Sequence, residues 1–158
     1  MTLTHIHTPI TIGGLEVPNR VVRTAHATGM AKRGIGETLI DYHVARAKGG
    51  VGLSIVELLP VHASATSFMP TFTEPGMQQG MAKLVEAVAP YPMRLFQQLW
   101  HGGHQAPSGD GGPPWSASDV PSASGITPLP MTRAMIDELV EQFARAARGN
   151  GGLDGEHL

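Results

Sequence analysis

Short apolar runs alternate with amphipathic segments of helical length, and this alternation limits what the chain can fold into more than any other feature. Val51-Gly52-Leu53-Ser54-Ile55-Val56 is nearly continuous in apolar residues. That is the pattern of a strand buried on both faces, as parallel strands are. Before it, a helix is predicted from about Glu37 to Lys48, with Ile40, Val44 and Ala47 on one face. Glu37 and Asp41 near its start, and Arg46 and Lys48 near its end, suit the helix dipole, and Gly49-Gly50 provides the stop. A second helix is predicted from about Met77 to Ala89, with Met77, Met81, Leu84, Val85 and Val88 as its apolar stripe and Pro90 and Pro92 after it. Met93 to Trp100 reads as the next strand. Thr132 caps a third helix running through Arg148, with Ile136, Leu139, Val140, Phe143, Ala144 and Ala147 as its buried stripe and Glu141 with Arg145 as an i,i+4 ion pair.

Two shorter features complete the order. Pro9 to Pro18 forms two extended pieces around Gly13-Gly14, a hairpin signal, and Val21-Val22-Arg23-Thr24-Ala25 follows as the first longer strand. Leu153-Asp154-Gly155 reads as the start of a fourth. Strands alternating with helices imply βαβ units and a parallel sheet. A doubly wound sheet fits this order too, but no Gly-x-Gly-x-x-Gly follows the first strand, so a Rossmann dinucleotide site is not indicated. A closed eight-unit barrel needs roughly 200 residues or more, and this chain has room for about three and a half units.

Composition narrows the function. The net charge of −2 provides no basic field for nucleic acid or an anionic membrane surface. With no cysteine there is no disulfide, thiolate metal site or thiol nucleophile. The first seven residues lack the pattern of a secretory signal, and the apolar stretch around Val51 to Val61 is too short to span a membrane, so a cytoplasmic location is expected.

Chemistry is expected at strand ends. Gln98 stands in a strand that runs into the glycine loop His101-Gly102-Gly103-His104. An amide in a buried strand needs a partner, because leaving it unpaired costs about 1–3 kcal/mol. That partner is a ligand or neighbouring backbone. From His101 to Pro130, 17 of 30 residues are Gly, Pro or Ser, and a loop of this length is usually either functional or disordered. Trp115 is expected to pin it. His101 and His104 with Asp110 raise an alternative, a metal-dependent hydrolase, although a His-Gly-Gly-His loop does not pre-orient ligands as a helix would.

Four segments together carry a resemblance. They are Val17-Pro18-Asn19-Arg20-Val21-Val22, the run from Ala47 to Glu57, Gln98-Leu99-Trp100-His101-Gly102-Gly103, and Trp115-Ser116-Ala117-Ser118 with Pro130-Met131-Thr132 through Asp154-Gly155. In this order they resemble the N-terminal part of the Old Yellow Enzyme family of NADH:flavin oxidoreductases, which are FMN-binding β/α barrels. The resemblance implies an incomplete (β/α)8 TIM barrel over residues 1–158, with the N-terminal hairpin before it and the long loop 101–130 within it. It implies that Thr24, Ala25, His26 and Ala27 touch the flavin largely through backbone groups. It places Glu57 and Leu58 beside the flavin, and the Gln98 side chain on its pyrimidine ring. Glu57 taken without the family reads as an exposed or paired carboxylate.

Two positions depart from the family pattern. Ala27 lacks the flavin-bonding side chain some relatives carry there, and His104 replaces a loop arginine. The family's substrate-binding histidine pair is not matched by Glu156-His157-Leu158, so no catalytic residue is assigned. The resemblance implies NAD(P)H as reductant and an activated alkene or related small molecule as acceptor. It also implies a chain that is weak or inactive alone, or a non-catalytic half-barrel that needs a partner. The open sheet edges of such a fold are sites for self-association.

Overall fold

Gly13 and Gly14 both adopt positive φ, 57° and 89°, which is what a two-residue hairpin turn of the right twist requires. They join β1 (Ile10–Ile12) and β2 (Leu15–Val17), antiparallel as expected. Val17 is fully buried, and the Glu16 carbonyl accepts from Arg94 Nε at 3.0 Å, so the hairpin packs where the main sheet begins. The computed structural model describes residues 4–67 and 69–149. The predicted fourth-strand start at Leu153-Asp154-Gly155 lies outside the described residues.

The main sheet contains β3 (Val22–Arg23), β4 (Leu53–Pro60) and β5 (Arg94–Trp100), parallel and in that order. The strand predicted over Val21 to Ala25 pairs at only two residues. The Ile55 carbonyl, which a longer β3 could have met, accepts instead from the Arg23 guanidinium. Past Val56 the ladder of β4 on β5 shifts register at a bulge, and β4 continues four residues beyond the predicted end.

Helix α1 (Glu37–Lys48) has the predicted bounds, but its buried line is Leu39, His43 and Ala47, with Ile40 and Val44 half-buried beside it. Helix α2 (Pro75–Val88) starts two residues early because Pro75, with φ already helical and no N–H to lose, serves as its first residue. Its Met77, Met81, Leu84 and Val88 meet Val56, Leu59 and Val61 of the β4 segment in one core, with Leu39 and Ala47 of α1. At about 25 cal/mol per Å2 of apolar surface, a fully buried leucine such as Leu84 contributes on the order of 2 kcal/mol.

Both helices therefore cover one face of the sheet. Ser54 belongs to that face, since its hydroxyl bonds the His43 imidazole at 3.0 Å. Side chains alternate along a strand, so Ile55 and its partner Phe96 lie on the opposite, helix-free face, and Gln98 lies there with them.

Helix α3 (Arg133–Gly149) departs from its predicted stripe. Ala146 is buried and Leu139 and Phe143 pack against the core, whereas Ile136 and Val140 are 42% and 63% exposed. The helix rests on β5, which among the described residues pairs only with β4, and the described sheet covers only part of its apolar surface. Glu141 pairs with Arg148 at 3.2 Å rather than with Arg145. The long loop is ordered: β6 (Trp115–Ser116) runs parallel to β7 (Leu129–Pro130), after a 3-10 turn at Gly103–Gln105.

Candidate functional site

Because the three main strands are parallel, their C-terminal ends form one rim, the place where parallel α/β folds put their ligands. Thr24, Ala25, His26 and Ala27 leave β3 at this rim, Leu58 stands near the end of β4, and Gln98 lies near the end of β5. Thr24, His26, Ala27 and Gln98 are exposed, and Ala25 and Leu58 are half-buried.

The amide that the strand encloses is not that of Gln98 but that of its neighbour. Gln97 is half-buried, and its amide donates to the Glu57 carbonyl at 2.6 Å and the Gln98 carbonyl at 3.1 Å. Its Oε1 is buried with no partner among the described residues. Alternation sends Gln98 the other way, onto the helix-free face, with its carboxamide exposed.

Glu57 is 2% exposed, and its carboxylate has a partner. It accepts from the Thr28 backbone N–H at 2.8 Å and from the Thr28 hydroxyl, which in turn accepts from the Met30 N–H at 3.1 Å. A buried carboxylate demands such donors. The effect is to fix the segment after β3 against β4, so Glu57 positions Thr24 to Ala27. Glu57→Gln keeps the shape but weakens the charge-assisted bonds, and a loss of about 1 kcal/mol in urea unfolding is expected, with faster exchange of the Thr28 amide. Thr28 carries no mark in the sequence, since its partner is 29 residues away.

The β3 side of the rim is cationic. His26 Nε2 lies 3.5 Å from both Arg23 Nη2 and the Tyr42 hydroxyl, and Arg23 and Arg46 both lie over the Tyr42 ring. Below it, His43 is fully buried. Burial first, then Arg23, Arg46 and His26, lower its pKa to about 4, so the ring is neutral at neutral pH.

A second polar cluster gathers the later loops. Ser64 Oγ stands between His62 Nδ1 at 2.8 Å and His101 Nε2 at 2.9 Å. His62 Nε2 faces Glu138 of α3 at 3.3 Å, and its ring stacks on Trp115 with centroids 4.5 Å apart. Trp115 thus holds the long loop onto the segment after β4. The histidines of the alternative hydrolase site do not converge: His101 is directed at Ser64, and His104 Nδ1 lies 3.0 Å from the Val120 carbonyl. Asp110 is engaged by the Ser108 hydroxyl and the Gly112 N–H, which hold its carboxyl below the usual range. Among the described residues no three such side chains are grouped to hold a metal ion.

Comparison with known proteins extends this picture. The model of the NADH:flavin oxidoreductase / NADH oxidase family matches residues 5–155. The chain is 36% identical over 157 residues to an NADH oxidase of Thermoanaerobacter brockii, covering 93% of this chain and 24% of that protein. It is 30% identical over 159 residues to a metal reductase of Desulforamulus reducens, covering 97% and 24%. The chain therefore spans about a quarter of the length of these curated relatives. A solved structure of morphinone reductase in complex with tetrahydroNAD has a TM-score of 0.82 at 24% identity, over 94% of this chain and 47% of that one. That likeness of fold identifies the β3–β4–β5 sheet and its helices as part of an incomplete (β/α)8 barrel.

Proposed function

The chain belongs to the NADH:flavin oxidoreductase / NADH oxidase family, and from that premise we propose that its rim binds the isoalloxazine ring of FMN. The observation that carries this reading is the exposed Gln98 carboxamide, on the helix-free face and at the rim where Thr24 to Ala27 and Leu58 also end. A carboxamide offers a donor and an acceptor side by side, which suits the alternating carbonyl and N–H groups of the flavin pyrimidine edge. Phe96 and Ile55 provide apolar surface on the same face. Ala27 brings no side chain to bond the ring, so the backbone of Thr24 to Ala27, fixed through Thr28 by Glu57, supplies that edge.

When bound, FMN would supply hydride transfer, taking a hydride from a nicotinamide and passing it to an activated alkene or related acceptor. Gln98 would orient the pyrimidine edge and favour negative charge there. The Arg23 guanidinium adds positive potential on the β3 side of the rim. On the same reading, residues 1–158 form the N-terminal part of the barrel and the chain works in the cytoplasm. Among the described residues, no helix is long and apolar enough to cross a membrane.

Titrating the purified chain with FMN and following the visible absorbance tests the proposal. A perturbed flavin band with micromolar affinity is expected. Gln98→Leu should weaken binding roughly tenfold, about 1.4 kcal/mol, while leaving the unfolding midpoint unchanged. An unperturbed spectrum at millimolar FMN would refute flavin binding by this chain.

A second reading, a half-barrel that needs a partner, has one observation in its favour. Val21 and Val22, at the start of β3, are 37% and 45% exposed, and among the described residues β3 pairs on one side only, with β4. Sedimentation should then show concentration-dependent association, which Val22→Lys reduces. A monomer at every concentration contradicts it.

A further inference from the structure

Glu57 and Leu58 of β4 together oppose the single residue Gln98 of β5, because the ladder passes from Val56 opposite Gln97 to Leu59 opposite Leu99. Val56 and Leu59 both lie in the core beneath the helices, although they are three residues apart. The bulge has therefore reversed the alternation, and Leu58 shares the helix-free face with Ile55. In an unbroken ladder Glu57 would stand opposite Gln98 and share its face. Instead its carboxylate is buried against Thr28. The Gln97 amide spans this bulge. Its NH2 group donates to the Glu57 carbonyl of β4 at 2.6 Å and to the Gln98 carbonyl of β5 at 3.1 Å. A flipped amide would set its oxygen against both carbonyls, so the orientation is dictated. The consequence is an Oε1 that is buried with no partner among the described residues. A buried acceptor left in this way works against stability, and a methionine of similar length would avoid it. Stability alone does not explain the glutamine.

We propose that Gln97 is a positioning residue for the cofactor rim: by holding the carbonyls on either side of the bulge, it keeps Leu58 rather than Glu57 on the helix-free face and keeps the Glu57 carboxylate on Thr28. This rests on the reading of the rim as a flavin site. Gln97 pairs with Val56 and shares its helix-covered face, so it acts through Glu57 and Gln98 and not by touching a ligand. On the β3 side, the Glu57 carboxylate accepts from the Thr28 N–H and hydroxyl, and that hydroxyl accepts from the Met30 N–H. The tie thus fixes the segment that carries Thr24 to Ala27. On the helix-free face, the bulge leaves Ile55, Leu58, Phe96 and the neutral Gln98 carboxamide in place of an acid. A carboxylate in that position would oppose the negative charge that a flavin gains on reduction. One side-chain NH2 group therefore sets both the shape of the β3 edge and the charge of the β4 edge.

Hydrogen exchange of the full chain without flavin, and titration with FMN, test it on the parent, Gln97→Met, Thr28→Val and the double variant. In Gln97→Met the urea midpoint should stay near that of the parent, because two amide bonds and one unpartnered oxygen are lost together. The Thr28 amide should nonetheless exchange about tenfold faster, while the Gly125 amide, bonded to the Ser122 carbonyl in the long loop, keeps the parent rate. FMN binding should weaken about fivefold in each single variant. In the double variant it should weaken roughly tenfold rather than about twenty-fivefold, because both changes act on one hydrogen-bonded path. Thr28 exchange at the parent rate in Gln97→Met would overturn the proposal, as would FMN effects that multiply in full. Loss of folding in Gln97→Met, or exchange that quickens evenly along the chain, would make the residue merely structural and overturn it too. A parent chain that leaves FMN unbound removes the flavin reading instead, and the Thr28 exchange alone then decides whether Gln97 locks the bulge.

Discussion

Replacing Gly80 with alanine is expected to cost about 2 kcal/mol, against the sign that helix propensity alone suggests. In the interior of α2, alanine should stabilise by about 1 kcal/mol, because glycine gives up more backbone freedom on folding. At Gly80, however, a Cβ would lie 2.2 Å from the Ile35 carbonyl oxygen and 2.6 Å from the Ile35 Cβ. Ile35 is buried immediately before α1, so the clash is with backbone that has nowhere to move. The helix would have to lift, taking Met77, Met81 and Leu84 out of register with β4. Gly80→Val should be worse, by several kcal/mol. The check is the urea midpoint at constant m value, with Gln79→Ala on the exposed side of the same helix as a near-neutral control. A Gly80→Ala protein as stable as the parent would show that α2 does not sit this closely on Ile35.

The second large effect is acid sensitivity through His43. Its pKa falls from 6.5 to about 4 in the folded chain, chiefly by burial and then by Arg23, Arg46 and His26. The unfolded chain binds a proton near pH 6.5 and the folded chain resists it. The stability contributed by the neutral ring is therefore complete above about pH 6.5 and is lost as the pH falls toward 4. Full linkage over that span is worth about 3 kcal/mol, and solvent relaxation around the ring reduces it to roughly 2 kcal/mol. His43→Leu removes the proton site. The stability of the wild type minus that of the variant should shrink by about 2 kcal/mol between pH 7 and pH 4, while any constant packing difference cancels. A difference independent of pH would mean that the buried ring is not the group responsible.

Some of this was visible in the residues. The bounds of α1 follow from the acids at its start, the bases at its end and Gly49-Gly50, all local signals. The hairpin follows from Gly13-Gly14. The α3 stripe was only half legible, because an apolar residue is identifiable from sequence while the surface that will cover it is not. Ile136 and Val140 had no signal separating them from Leu139 and Phe143. The candidate site shows the same division. Gln98 stands out as an amide near a strand exit, yet the buried amide is Gln97, and nothing short of the register on β4 distinguishes the two. Glu57 stands out as an acid in an apolar run, but Thr28 does not. Ser64 and His101 meet across 37 residues, beyond any local pattern.

By itself, then, the sequence determined the hairpin, the order of the three parallel strands and the three helices, and the family, because periodicity, caps and short motifs act over a few residues. Tertiary structure alone decided which face of β5 presents which glutamine, what Glu57 holds, and that two distant histidines share one hydroxyl. Those outcomes depend on strand register and chain reversal, which bring side chains within hydrogen-bond distance only after the helices have packed on the sheet.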